Sequence, residues 1–153
     1  MSSVTLRGLQ SHEHAFWGDR RVQLNRLAST QGLPNGIAQG PDGNGGRCLW
    51  FTEKAANKIG RITTAGAITE FALPRTVGPG PIAEGSDGNM WFTSNALNKQ
   101  VSVGRVDRKT GEIKFLKLMA KNGLASTSHG MARDAKGNLW FDINTGNQYT
   151  AGK

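Results

Sequence analysis

Two stretches of the chain alternate apolar and polar positions with a period of two. They are Ile68-Thr69-Glu70-Phe71-Ala72-Leu73 behind Gly66-Ala67, and Ile113-Lys114-Phe115-Leu116-Lys117-Leu118 behind Gly111-Glu112. Successive side chains of a strand point to opposite faces, so this pattern predicts half-buried strands entered from turns. Ahead of each lies a related run: Asn57-Lys58-Ile59-Gly60-Arg61-Ile62 recurs as Val103-Gly104-Arg105-Val106. Earlier still, Leu49-Trp50-Phe51-Thr52-Glu53 recurs as Met90-Trp91-Phe92-Thr93-Ser94 and as Leu139-Trp140-Phe141-Asp142. Each follows a Gly-Asn pair (Gly43-Asn44, Gly88-Asn89, Gly137-Asn138), the residue types that tolerate positive φ in hairpin turns. Gly36-Ile37-Ala38, Pro81-Ile82-Ala83 and Gly130-Met131-Ala132 precede the three turns.

The glycines at 43, 88 and 137 recur every 45 and 49 residues, the period of a four-stranded propeller blade. The first copy carries Gly45-Gly46-Arg47-Cys48 as an insertion between turn and strand. The pattern predicts strands over 36–40, 48–53, 58–63 and 67–73, then over 81–85, 89–94, 101–106 and 112–118, and finally over 129–134 and 138–143. No 3.6-residue period follows residue 33, so no helix is expected there. The fold class is therefore all-β: a partial β-propeller of four-stranded antiparallel blades, two complete and part of a third. It occupies residues 33–143, between an irregular N-terminal segment over 1–32 and a tail over 144–153. Trp and Phe of each copy lie on opposite faces of their strand. Blades pack on both faces, so Trp50, Trp91 and Trp140 are expected in the core.

Composition narrows the function classes. Twenty-one Gly with five Pro and no three-residue period exclude collagen. No apolar run approaches the roughly 18 residues of a membrane-spanning helix, so no membrane partner is expected. The single cysteine, Cys48, allows neither an internal disulfide nor a cysteine-based zinc cluster. Nineteen Lys and Arg against eleven Asp and Glu give +8, which raises anion or nucleic-acid binding. The densest cluster, Arg105, Arg108, Lys109, Lys114, Lys117 and Lys121, is interleaved with Asp107 and Glu112. It reads as a solvated face, and nucleic acid is not the expected partner.

Residues 1–32 differ from the rest. Val22–Leu27 reads as one strand. His12-Glu13-His14 lacks the His-Glu-x-x-His spacing that would put two imidazoles on one helical face. No charged start followed by an apolar core marks a secretory leader, which points to the cytoplasm.

The run from Leu33 to Pro74, including Leu33-Pro34-Asn35-Gly36-Ile37-Ala38, Pro41-Asp42-Gly43-Asn44, Leu49-Trp50-Phe51-Thr52-Glu53, Asn57-Lys58-Ile59-Gly60-Arg61 and Ile68-Thr69-Glu70-Phe71, resembles the repeat of the streptogramin B lyase (virginiamycin B lyase) family of bacterial propellers. Gly78-Pro79-Gly80-Pro81-Ile82 and Met90-Trp91-Phe92-Thr93 extend the resemblance, which covers about residues 33–142. It implies a seven-bladed ring and a magnesium-assisted elimination that breaks the ester C–O bond of a cyclic depsipeptide lactone. A His is the base, and the ligands come from inner strands and top loops. His129, in Ser128-His129-Gly130-Met131-Ala132, matches a position where that family places a metal-binding His. It is the candidate base or metal ligand. Glu53 matches the family's Trp-Phe-Thr-Glu and is the candidate magnesium ligand, with Ser94 and Asp142 read as its counterparts. One His cannot be both ligand and base, so this chain alone is expected to be an inactive fragment of such a lyase. The alternative is a non-catalytic ligand- or protein-binding module completed by oligomerisation. Open blade edges favour self-association in either case.

Overall fold

The computed structural model describes residues 32–95, 101–117, 127–144 and 149–152. The chain divides into Met1–Thr30 and Gln31–Lys153. The expected strand over Val22–Leu27 and the His12-Glu13-His14 run lie outside the described residues, as does Lys121.

Eleven strands are described, in three antiparallel sheets, with no helix among the described residues. Sheet one orders β1 (Pro34–Pro41), β2 (Arg47–Glu53), β3 (Lys58–Ile62) and β4 (Ile68–Ala72) side by side. Sheet two repeats this with β5 (Pro79–Glu84), β6 (Met90–Asn95), β7 (Val101–Val106) and β8 (Ile113–Lys117). Sheet three holds β9 (Met131–Arg133), β10 (Leu139–Asn144) and β11 (Tyr149–Gly152). Two full blades and part of a third are therefore present. The residues expected as a tail contribute β11, because a third strand can pair with the free side of β10. Strand β9 is shorter than expected, and His129 lies two residues ahead of it.

The Asp of each turn organises its hairpin. In sheet two, Asp87 accepts from the Asn89 amide N–H (3.1 Å), the Trp91 indole (3.0 Å) and the Arg105 guanidinium (2.8 Å). In sheet three, Asp134 accepts from the Lys136 and Asn138 backbone and from the Trp140 indole (2.9 Å). The insertion alters sheet one. Arg47 and Cys48 prolong β2 opposite Pro41 and Gly40, and Asp42 closes a wider turn by accepting from Asn44 and Gly46. The Trp50 indole then donates to the Pro41 carbonyl at 2.9 Å. Three of the glycines here are at positive φ: Gly43, Gly88 and Gly137.

The core lies between sheets one and two. Trp50, Ile59, Ile82, Met90, Phe92 and Val106 form one buried cluster. Each such side chain contributes roughly 1.5–3 kcal/mol on burial. Trp50 stacks on Phe71 at 5.7 Å, and Phe92 meets Phe115 edge-on at 5.8 Å. The Arg61 guanidinium covers Trp50 and bonds the carbonyls of Asp42 (2.7 Å) and Arg108 (3.2 Å), tying the two sheets together. Asn57, at φ 56°, accepts from Val77 and Gly78 and donates to the Arg75 carbonyl, pinning the connection between the sheets.

The expectation that all three indoles are core residues is corrected. Trp50 is fully buried, Trp91 is half-buried and Trp140 is 41% exposed. Burial of the indole requires a following sheet over it. Phe51, Phe92 and Phe141, on the opposite face, are all buried.

Two predictions arise from this packing. Gly60 and Gly104 sit opposite Phe51 and Phe92, and a Cβ at either would fall inside the facing ring. Gly104→Ala should lower unfolding stability in urea by about 1–3 kcal/mol. Phe92→Leu should recover part of that loss, giving a double mutant milder than the sum. The second concerns acid. Burial pushes Asp87 up, but the bonds from Asn89, Trp91 and Arg105 outweigh it and hold it at about 2. The Trp140 and Asn138 bonds hold Asp134 at about 2 as well. Both folded values are depressed, so their stabilisation is complete above the unfolded value near 3.8 and disappears as pH falls towards 2. Urea titrations by tryptophan fluorescence should show stability falling between pH 5 and about 2, less steeply in Asp87→Asn.

Candidate functional site

The β9–β10 hairpin carries the sequence-predicted histidine. Met131, Ala132 and Arg133 pair with Phe141, Trp140 and Leu139, which leaves Asp142 level with the residues just ahead of β9. Asp142 Oδ1 accepts from the backbone N–H of His129 (2.9 Å) and Gly130 (2.6 Å) and from Ser128 Oγ (3.4 Å). Its Oδ2 lies 3.4 Å from His129 Nδ1. One carboxylate thus fixes the backbone that presents the imidazole and faces the imidazole as well. Burial opposes the ionised form of Asp142, but the Gly130 and His129 N–H bonds outweigh it and lower its pKa. Asp142 is therefore a carboxylate across the neutral range. The imidazole is 67% exposed.

Glu53 occupies a different environment. It ends β2, is fully buried, and stands opposite Pro34 and Lys58. Lys58 bonds Glu70 at 2.7 Å, which raises the lysine pKa despite the opposing burial. His129, just ahead of β9 in sheet three, and Glu53, in sheet one, lie on separate sheets, and among the described residues no group of three or more His, Cys, Asp or Glu side chains is placed to hold a metal ion.

The register keeps Ser94 as the counterpart of Glu53 and corrects Asp142. Trp50, Trp91 and Trp140 pair with Ala38, Ala83 and Ala132, so Asp142 aligns with Thr52 and Thr93, and Glu53 aligns with Ser94 and Ile143. Thr52 Oγ1 accepts from Gly36 N–H at 2.9 Å, the same bond that Asp142 receives from Gly130. Sheet two has Pro81 at that donor position, and proline has no N–H. The buried Thr93 hydroxyl accordingly has no hydrogen-bond partner among the described residues. Sequence reasoning missed the role of Asp142. The available signal was Trp-Phe-Asp where the other copies read Trp-Phe-Thr.

A cleft of about 340 Å³ separates sheets two and three, lined by Trp91, Val103 and Leu116 on one side and Met131, Leu139 and Phe141 on the other. Neither His129 nor Asp142 lines it. Within the basic cluster, Arg105 pairs with Asp87 at 2.8 Å, and Lys114 approaches Glu112 at 3.3 Å.

The shared Thr/Asp bond predicts unequal costs for one substitution. Thr52→Val strands the Gly36 N–H and should cost about 1 kcal/mol. Thr93→Val removes a hydroxyl that bonds nothing described and should be neutral or stabilising. Chemical denaturation of both variants decides; an equal loss would refute the register argument.

The profile of the Virginiamycin B lyase family matches residues 18–150. Among solved structures, virginiamycin B lyase from Staphylococcus aureus is similar at 33% identity and a TM-score of 0.66, over 88% of this chain and 45% of that one. A catalytically inactive histidine-to-alanine variant of the S. aureus enzyme with quinupristin is similar at 32% identity and a TM-score of 0.65, with the same coverage. A streptogramin B lyase structure is similar at 29% identity and a TM-score of 0.66, over 88% of this chain and 44% of that one. The chain thus spans under half the length of these structures. No curated protein sequence matches it significantly.

Proposed function

Because the chain belongs to the virginiamycin B lyase family, we propose that it is a portion of a lyase propeller that supplies one proton-transfer pair, His129 with Asp142, to the opening of a cyclic depsipeptide lactone. The observation that carries this reading is the 3.4 Å approach of His129 Nδ1 to an Asp142 carboxylate already fixed by three donors at the entry to β9.

In a C–O elimination, a base takes a proton from the carbon next to the one bearing the ester oxygen. The C–H pair becomes a C=C bond, the C–O bond breaks, the leaving oxygen departs as a carboxylate, and no water is consumed. An ionised Asp142 beside Nδ1 favours the tautomer with its proton on that nitrogen. The Nε2 lone pair is then free to accept the carbon-bound proton. The same carboxylate stabilises the imidazolium that results. Asp142 is a positioning residue, and His129 is the group that meets substrate.

Magnesium would supply polarisation of the ester carbonyl. The described donor set does not fit it. Magnesium demands near-octahedral oxygen coordination, whereas Glu53 is buried on another sheet and Asp142 Oδ1 is saturated by N–H and O–H donors. The isolated chain is therefore expected not to open the lactone.

The test uses quinupristin, the ligand of one similar structure. Chromatography should detect no ring opening by the 153-residue chain, with or without magnesium. Fused to the S. aureus lyase blades it does not match, the chain should support ring opening that falls at least about 100-fold in His129→Ala. Asp142→Asn should lower kcat with KM little changed. Undiminished opening by a folded His129→Ala fusion overturns the assignment.

A further inference from the structure

The Gly-Asn pair recurs in all three turns, but the insertion in sheet one changes the surroundings of its asparagine. In sheet two, the Asn89 side chain donates to Asp87 Oδ2 at 2.9 Å and accepts from the Arg108 N–H at 3.1 Å. In sheet three, the Asn138 side chain donates to Asp134 Oδ2 at 2.8 Å. The strand residues Met90 and Leu139 follow these asparagines directly. In sheet one, Gly45-Gly46 intervenes between Asn44 and β2. Among the described residues, neither the Asn44 side chain nor the Gly45 N–H makes a hydrogen bond. Asn44, Gly45 and Gly46 are all exposed. Gly45 is at φ 98°, with open space where a Cβ would stand.

We propose that Asn44-Gly45 is a site of spontaneous deamidation, a modification whose only co-reactant is water. The Gly45 backbone nitrogen loses its proton to solvent hydroxide and attacks Asn44 Cγ. An N–Cγ bond forms and closes a succinimide ring. The Cγ–Nδ2 bond breaks, and the amide nitrogen takes a proton from water and leaves as ammonia. Water then opens the ring. Cleavage of the N–Cγ bond leaves aspartate, and cleavage at the Asn44 backbone carbonyl leaves isoaspartate. Glycine suits the step because it has no Cβ to block the approach and rotates freely. Asp42 Oδ1 accepts from the N–H of both Asn44 and Gly46. The product therefore adds a second carboxylate to this turn, and isoaspartate also lengthens the main chain between the two donors. The Asp42 carbonyl anchors Arg61, so the change reaches the bond between sheets one and two.

Asn35-Gly36 is the same dipeptide with an equally exposed asparagine, but there the nucleophile is withheld. The Gly36 N–H is bound to Thr52 Oγ1 at 2.9 Å. Gly36 is also packed against β5, where a Cβ would fall 3.1 Å from the Gly80 oxygen and Pro81 Cα. Asn122-Gly123 lies outside the described residues. The modification is local to one turn and does not depend on proton transfer at His129.

Trypsin releases residues 27–47 as one peptide that carries both Asn35 and Asn44. The folded chain is incubated in mildly alkaline buffer and sampled at intervals. Tandem mass spectrometry then locates the amide-to-acid mass change, with a zero-time digest as background. Asn44 should convert at least about fivefold faster than Asn35, whose neighbouring N–H must first leave its hydrogen bond. In concentrated urea, which releases Gly36, the two rates should converge. Equal rates in the folded chain overturn the proposal. So does an Asn44 that converts in urea but keeps its amide when folded.

Discussion

Everything in this structure depends on sheets burying two apolar faces. A four-stranded sheet with Trp50 on one side and Phe51 on the other cannot satisfy both in isolation. Its hydrophobic area is useful only when neighbouring sheets lie against it. The gradient from a fully buried Trp50 to a half-buried Trp91 to a partly exposed Trp140 is that constraint made visible along one chain. Stability in such an array resides in the contacts between repeats as much as in the repeats. The bond from Arg61 to the Arg108 carbonyl belongs to those contacts, whereas the Trp50–Phe71 and Phe92–Phe115 ring contacts each lie within one sheet.

The same logic places the candidate chemistry. The start of each inner strand must satisfy an N–H displaced by a register shift, seen between Pro34 and Ile37 and between Pro79 and Ile82. Sheet one uses a threonine hydroxyl, and sheet two avoids the problem with Pro81. Sheet three uses the Asp142 carboxylate, which holds a charge and therefore does more than close a bond. The same structural position carries a charge in sheet three alone of the three described sheets, close to His129. Membership of the virginiamycin B lyase family gives that pair its context, while Glu53, buried on a separate sheet, stands apart from it.

Much of the fold was legible. Period-two runs such as Ile113–Lys117, Gly-Asn turns and the recurring Trp-Phe pair located ten of the eleven strands to within about two residues at most ends. Strand β11 was not legible because Tyr149–Gly152 has no apolar alternation long enough to register; it is a strand because β10 has a free edge. Of the site, His129 stood out by residue type. Asp142 was assigned to the wrong counterpart, since only cross-strand register shows that it replaces Thr52 and Thr93.

Local chemistry was thus determined by the chain itself: which residues turn, which extend, and which faces are apolar. These depend on φ preferences and side-chain alternation over a few residues. Tertiary structure alone decided which indole is buried, which carboxylate meets His129 and which apolar faces stay open. Those outcomes depend on pairing between residues distant in sequence, and a one-residue change in register would send each side chain to the opposite face.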